Sequence, residues 1–172
     1  MHTQQDMIEG VNKNVDLIAD LISEISEDQL RRSENGKWSV AENLVHLNKA
    51  VAPINIALSL PKISFLVFGK ADLHRSYDEV VNTYQLKLKQ GAVASLPYVP
   101  SKRSKQIGKD RLIQEFKEHY SVLVTKLVKW SESELDRYRL PHPIIGKMTM
   151  REMLFFTVYH IKHHYITMQK LS

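Results

Sequence analysis

The chain has 172 residues, 43% of them hydrophobic, with six glycines, six prolines and no cysteine. That length suits one domain and that composition supports a buried core, which excludes disordered and fibrous classes; the lack of thiols excludes disulfides, thiolate metal sites and a cysteine nucleophile. The formal charge of +5 means a nucleic-acid partner has to be weighed, while no run of 18 or more apolar residues is present to cross a membrane.

The opening MHTQQDMIEG has neither a basic n-region nor an apolar h-region, so no secretion signal is expected and a cytoplasmic location is. Val11, Val15, Ile18, Ile22 and Ile25 then recur at helical spacing and predict the first helix. Ser39 and Glu42 form an S-x-x-E capping box, in which the hydroxyl accepts from the N3 amide and the carboxylate reaches back to the cap amide. The second helix follows on Val40, Leu44, Leu47, Val51, Ile54 and Leu58. Pro53 lies inside it, where a kink or break is expected, and Pro61 should end it.

A long connection spans about 60–109. Ser76 to Lys89 reads as a short extra helix within it, and 91–108 as an irregular loop. Lys102, Arg103, Lys105, Lys109 and Arg111 face only Asp110 in charge, but no aromatic residue accompanies them as a base-stacking platform. Nucleic acid is therefore not an expected partner. Asp110 is the expected N-cap of the third helix, which carries Phe116, Tyr120, Leu123, Leu127 and Trp130. Thr149 and Glu152 form a second capping box, ahead of a helix carrying Leu154, Val158, Ile161, Tyr165 and Met168. Nothing alternates with period two for long enough to predict a sheet. The expectation is an all-α four-helix bundle, residues 1–172 as one domain, with a long crossover between helices 2 and 3.

The placement of the eight histidines carries the functional signal. His160 and His164 are four apart, which puts two imidazoles on one helix face, about 5–6 Å apart at Cβ. Two side chains so placed can share one metal ion. They share a second stripe with Met153, Thr157 and Leu171, away from the core stripe. His163 competes as a ligand, being three residues from His160, but it fits that stripe less closely. His46 likewise lies off the core stripe of its helix, on a face with Asn43, Ala50, Pro53 and Ala57. These small or polar residues leave space. Three imidazoles from two such faces would hold a metal and leave a coordination position open, the pattern of a catalytic site; a closed structural site uses four protein ligands. His2, His74 and His119 read as isolated, and His142, beside a proline, as structural or pocket-lining.

Two stretches resemble motifs of the DinB/YfiT-like family of metal-dependent enzymes. Gly36-Lys-Trp38-Ser39-Val-Ala-Glu42-Asn-Leu-Val-His46-Leu47 looks like that family's G-x-W-S-x-x-E-x-x-x-H-L. His142-Pro143-Ile-Ile-Gly146-Lys-Met-Thr149-Met-Arg-Glu152, running on to His160 and His164, resembles its H-P-x-x-G-x-x-T-x-x-E followed by H-x-x-x-H. The resemblance implies a four-helix bundle with a metal, zinc or nickel, held by His46, His160 and His164. It also implies a homodimer. Relatives include thiol transferases, which attach a low-molecular-weight thiol to an electrophile, and a maleylpyruvate isomerase. The resemblance therefore points to a small-molecule substrate and to metal activation of a thiol, or of water in a hydrolase. A non-catalytic metal-binding or small-molecule-binding bundle is the rival reading. Within the motifs, Ser39 and Glu42 are placed to cap the helix that presents His46 and Trp38 to pack on Asn43 or Leu44, all three holding His46 in place, and Gly146 to permit a turn.

Overall fold

The four predicted stripes face one another and are buried, apart from the half-buried Tyr165. The structure, a computed structural model, describes residues 3–34, 36–71, 74–101 and 106–171. Its elements in chain order are α1 (Gln4–Glu24), α2 (Glu27–Arg31), α3 (Val40–Ala57), a 3-10 helix (Lys62–Phe68), α4 (Tyr77–Lys89), α5 (Lys109–Leu127), α6 (Glu132–Arg137), β1 (Arg139–His142), β2 (Gly146–Thr149) and α7 (Met150–Gln169). The long helices α1, α3, α5 and α7 form a four-helix bundle in which α1 and α3 each pack against both α5 and α7. Ile18 and Ile22 of α1, Leu44 and Leu47 of α3, Phe116 and Leu123 of α5, and Ile161 of α7 fill its centre. Among the described residues no single helix is long and apolar enough to cross a membrane.

The helix starts follow local chemistry. Both predicted capping boxes form, Ser39 with Glu42 and Thr149 with Glu152. The same device opens α2 at Ser26, α4 at Ser76 and α6 at Ser131. The helix expected at Ser76 to Lys89 is thus α4, which lies against α7. The residues described within 91–108 contain no regular helix or strand longer than a turn.

Three expectations are corrected, and of the kink or break expected at Pro53 the break does not occur: α3 continues to Ala57, tolerating the missing donor toward residue 49. It stops at Ala57, before Pro61, which instead precedes the 3-10 helix. The N-cap of α5 is Gly108, and Asp110 sits in the first turn, where its charge still favours the helix dipole. The expected absence of a sheet gives way to a two-stranded hairpin, Arg139 opposite Thr149 and His142 opposite Gly146. Four-residue strands are too short to show alternation. Gly146 adopts φ +91°, as the turn requires. The basic residues Lys102, Arg103 and Lys105 lie outside the described residues, as does His2.

Candidate metal centre

The hairpin and the two capping boxes set the stage for the histidines. Glu42 accepts from the Ser39 amide at 2.8 Å and fixes the start of α3, one turn before His46. Glu152 does the same for the Thr149 amide at 3.0 Å, two turns before His160. The buried Glu152 also accepts from Arg75, through the backbone amide at 2.6 Å and the guanidinium at 2.8 and 3.1 Å, which ties the crossover to the start of α7. Burial alone would raise its pKa, but these hydrogen bonds from Arg75 outweigh burial and hold it below the usual carboxylate value.

His46, His160 and His164 converge. Nε2 of His160 lies 3.2 Å from Nε2 of His46 and 3.0 Å from Nε2 of His164. All three rings are buried. The outer nitrogens of two of them are committed: His46 Nδ1 donates to the Tyr98 carbonyl at 2.9 Å, and His164 Nδ1 to Asn43 Oδ1 at 2.6 Å. The Asn43 oxygen is the acceptor because its Nδ2 already donates to the carbonyls of Trp38 and Ser39, at 3.1 and 2.8 Å. A neutral imidazole that donates from Nδ1 has a bare lone pair on Nε2. At least two of the three inward nitrogens are therefore unprotonated, and they crowd around one point.

Such an arrangement could hold a cation at its centre. Imidazole nitrogens bonded to zinc at about 2.0–2.1 Å in tetrahedral geometry stand about 3.3 Å apart, close to the spacing here. Protons fit the site poorly. Burial, reinforced by the neighbouring histidines, pushes His160 and His164 well below the ordinary imidazole pKa. Burial also lowers His46, overriding the Tyr98 carbonyl. Neutral imidazole is the form that binds metal. The donor set thus fits a divalent ion with three nitrogen ligands and an open side. His163, the rival candidate, stays outside the cluster, with its ring 5.3 Å from that of His164.

The open side is a cavity at the His46 and His160 edge of the triad, with about 720 Å³ of empty space including its mouth. Ala50 and Pro53 line it, as the face of His46 suggested, together with Tyr84, Leu140, Met153 and Phe156. No described lining residue carries a formal charge at neutral pH. Burial raises the Tyr84 hydroxyl to about 12, so it stays protonated. The ring of His142, also in the lining, stands 4.4 Å from that of Phe156. Burial, and then the positive charge of Arg75, push its pKa down to about 4.

Two supports, Asn43 and the Tyr98 carbonyl, were not read from the sequence in these roles. Asn43 counted as a residue that leaves space, yet it holds His164 and, through the Trp38 carbonyl, the chain entering α3. Trp38, expected to help hold His46 in place, has its ring 4.9 Å from that of His46. The Tyr98 carbonyl had no signal at all, since any residue offers one. Lys49 donates to the next carbonyl, Val99, at 2.7 Å and keeps that loop on α3. Asn43→Ala should weaken metal binding about 10–100-fold, measured by competition with a chromophoric chelator, while Asn43→Asp, which keeps an acceptor, should preserve it.

Comparison with known structures and families bears on this geometry. The fold of YfiT from Bacillus subtilis, a probable metal-dependent hydrolase with an unusual four-helix bundle topology, superposes with a TM-score of 0.68 at 17% identity, covering 100% of this chain and 87% of that one. The colibactin self-resistance protein ClbS, in a crystal structure with double-stranded DNA, superposes with a TM-score of 0.55 at 17% identity, over 99% of this chain and 96% of that one. Among curated proteins none matches significantly. The sequence model of the DinB superfamily matches residues 13–168, a span that takes in most of the bundle and all three clustered histidines; the chain belongs to the DinB superfamily.

Proposed function

We propose that this protein is a metal-dependent enzyme in which His46, His160 and His164 hold one divalent ion, zinc or nickel, and the adjoining cavity binds a small-molecule substrate. The observation that carries this reading is the convergence of three Nε2 atoms at 3.0 and 3.2 Å, with two of the outer nitrogens tied back. A divalent ion bound there would lower the pKa of a thiol or water molecule beside it and favour the anion at neutral pH.

The reaction we favour is transfer of a low-molecular-weight thiol to an electrophile. A carbon–sulfur bond forms on the electrophile, its leaving group or opened ring takes the electron pair, and the thiol proton passes to solvent. The chain has no cysteine, so the sulfur must arrive as substrate. Its own residues orient and enclose: Tyr98 and Asn43 fix two rings, and Phe156, Leu140 and Met153 shield the reacting groups from water. Hydrolysis by water is the second reading, favoured by the likeness to YfiT. The DNA bound to ClbS counts against excluding nucleic acid as a partner of this chain.

The test is turnover by protein loaded with zinc or nickel. Glutathione, cysteine and coenzyme A are offered with 1-chloro-2,4-dinitrobenzene, and separately p-nitrophenyl acetate without thiol. Metal-dependent thioether formation supports transfer, and metal-dependent ester cleavage supports hydrolysis. Metal binding with neither activity, on these and wider panels, would favour the non-catalytic bundle.

A further inference from the structure

His142 is a polar ring in the cavity wall, outside the triad, whose hydrogen-bonding state is set from behind. It ends β1, opposite Gly146, and the turn that follows brings two backbone amides onto it. The amides of Ile144 and Ile145 both donate to its Nδ1, at 3.2 and 3.1 Å. A nitrogen that accepts cannot carry the proton, so the neutral ring must carry it on Nε2. The ring is thus locked as a donor on the side away from the turn, in a cavity whose other lining is largely apolar.

We propose that His142 Nε2–H is a fixed hydrogen-bond donor that selects substrates with an apolar body and a neutral oxygen acceptor, such as a ketone, ester or epoxide. The ring cannot serve as a base without giving up both amides at Nδ1 or losing the Nε2 proton, so its part is to bind and polarise. The contact with Phe156 holds the ring plane, and Phe156 in turn stacks on His160, with centroids 4.9 Å apart. An oxygen bound to His142 would therefore lie in the same cavity as the open edge of the triad. This assignment deepens the enzyme reading, but the donor itself needs no metal.

The experiment uses acetophenone and its oxygen-free isostere α-methylstyrene, titrated by NMR into metal-free and zinc-loaded protein. Three proteins are compared: parent, His142→Asn and His142→Gln. Asparagine keeps an oxygen near Nδ1 to accept the turn amides but has no donor at the Nε2 position. Glutamine restores an N–H near Nε2. The ratio of ketone to alkene affinity should fall about fivefold in His142→Asn, as expected for one lost hydrogen bond, and recover in His142→Gln. Ring-nitrogen spectra of the parent should show His142 as the Nε2–H tautomer at neutral pH. The proposal is overturned if the ratio is unchanged in His142→Asn, if the Nδ1–H tautomer dominates, or if neither probe shifts cavity resonances. Because the ratio is read with and without zinc, a failed metal site leaves this result intact, and the reverse also holds.

Discussion

Alanine in place of His46 or His160 should yield a folded protein that has lost its metal, while the parent holds about one ion per chain. Structural zinc sites with four ligands are worth roughly 10–16 kcal/mol, so each ligand contributes about 3 kcal/mol, and one deletion should cost on the order of 100-fold in affinity. The fold should survive because both rings sit at the edge of a cavity and off the apolar centre of the bundle. Zinc should raise the thermal midpoint of the parent by mass action, about 4 kcal/mol at 1,000 times its dissociation constant, and at that concentration should stabilise variants of about 100-fold weaker affinity by only about 1.4 kcal/mol. Elemental analysis of untagged protein, with scanning calorimetry, reads both effects. A parent that takes up no ion after loading with zinc or nickel would sink the metal reading.

Glu152→Ala should be the most destabilising single change at the margin of the site. Its carboxylate, 4% exposed, caps α7 and accepts three hydrogen bonds from Arg75. Removing one partner of a buried pair leaves the other uncompensated, and here about 3 kcal/mol is expected, since Arg75 keeps some access to water. For a chain of this size that is a fall of roughly 6–12 °C in thermal midpoint. Acid should narrow the difference between parent and variant. The folded pKa of Glu152 is held below 4.5, so its contribution is complete above that pH and is lost as pH falls below it towards the folded value. Denaturant melts of both proteins from pH 3 to 7 would show the parent curve descending towards that of the variant. A constant gap across that range would mean that the ion pair does not stabilise the start of α7.

Much of the fold was legible because it is local. A stripe repeating every three or four residues is a property of one helix, and an S/T-x-x-E box is complete within four residues. Both survive reading one residue at a time. The hairpin that carries His142 was not legible, because two four-residue strands make no periodic signal and their pairing depends on the turn between them. The passage of α3 through Pro53 also depended on context: packing against α5 and α7 outweighs one missing hydrogen bond.

By itself the sequence determined which histidines stand on which helix faces, because helical geometry follows from spacing alone. It placed His160 and His164 one turn apart and His46 on a face of small residues. Only the tertiary structure decided that α3 and α7 bring these faces within 3.2 Å, that Asn43 and the Tyr98 carbonyl turn two of the rings, and that two loop amides fix the proton of His142. The physical reason is that these contacts join residues up to 121 positions apart, or use backbone groups that every residue possesses.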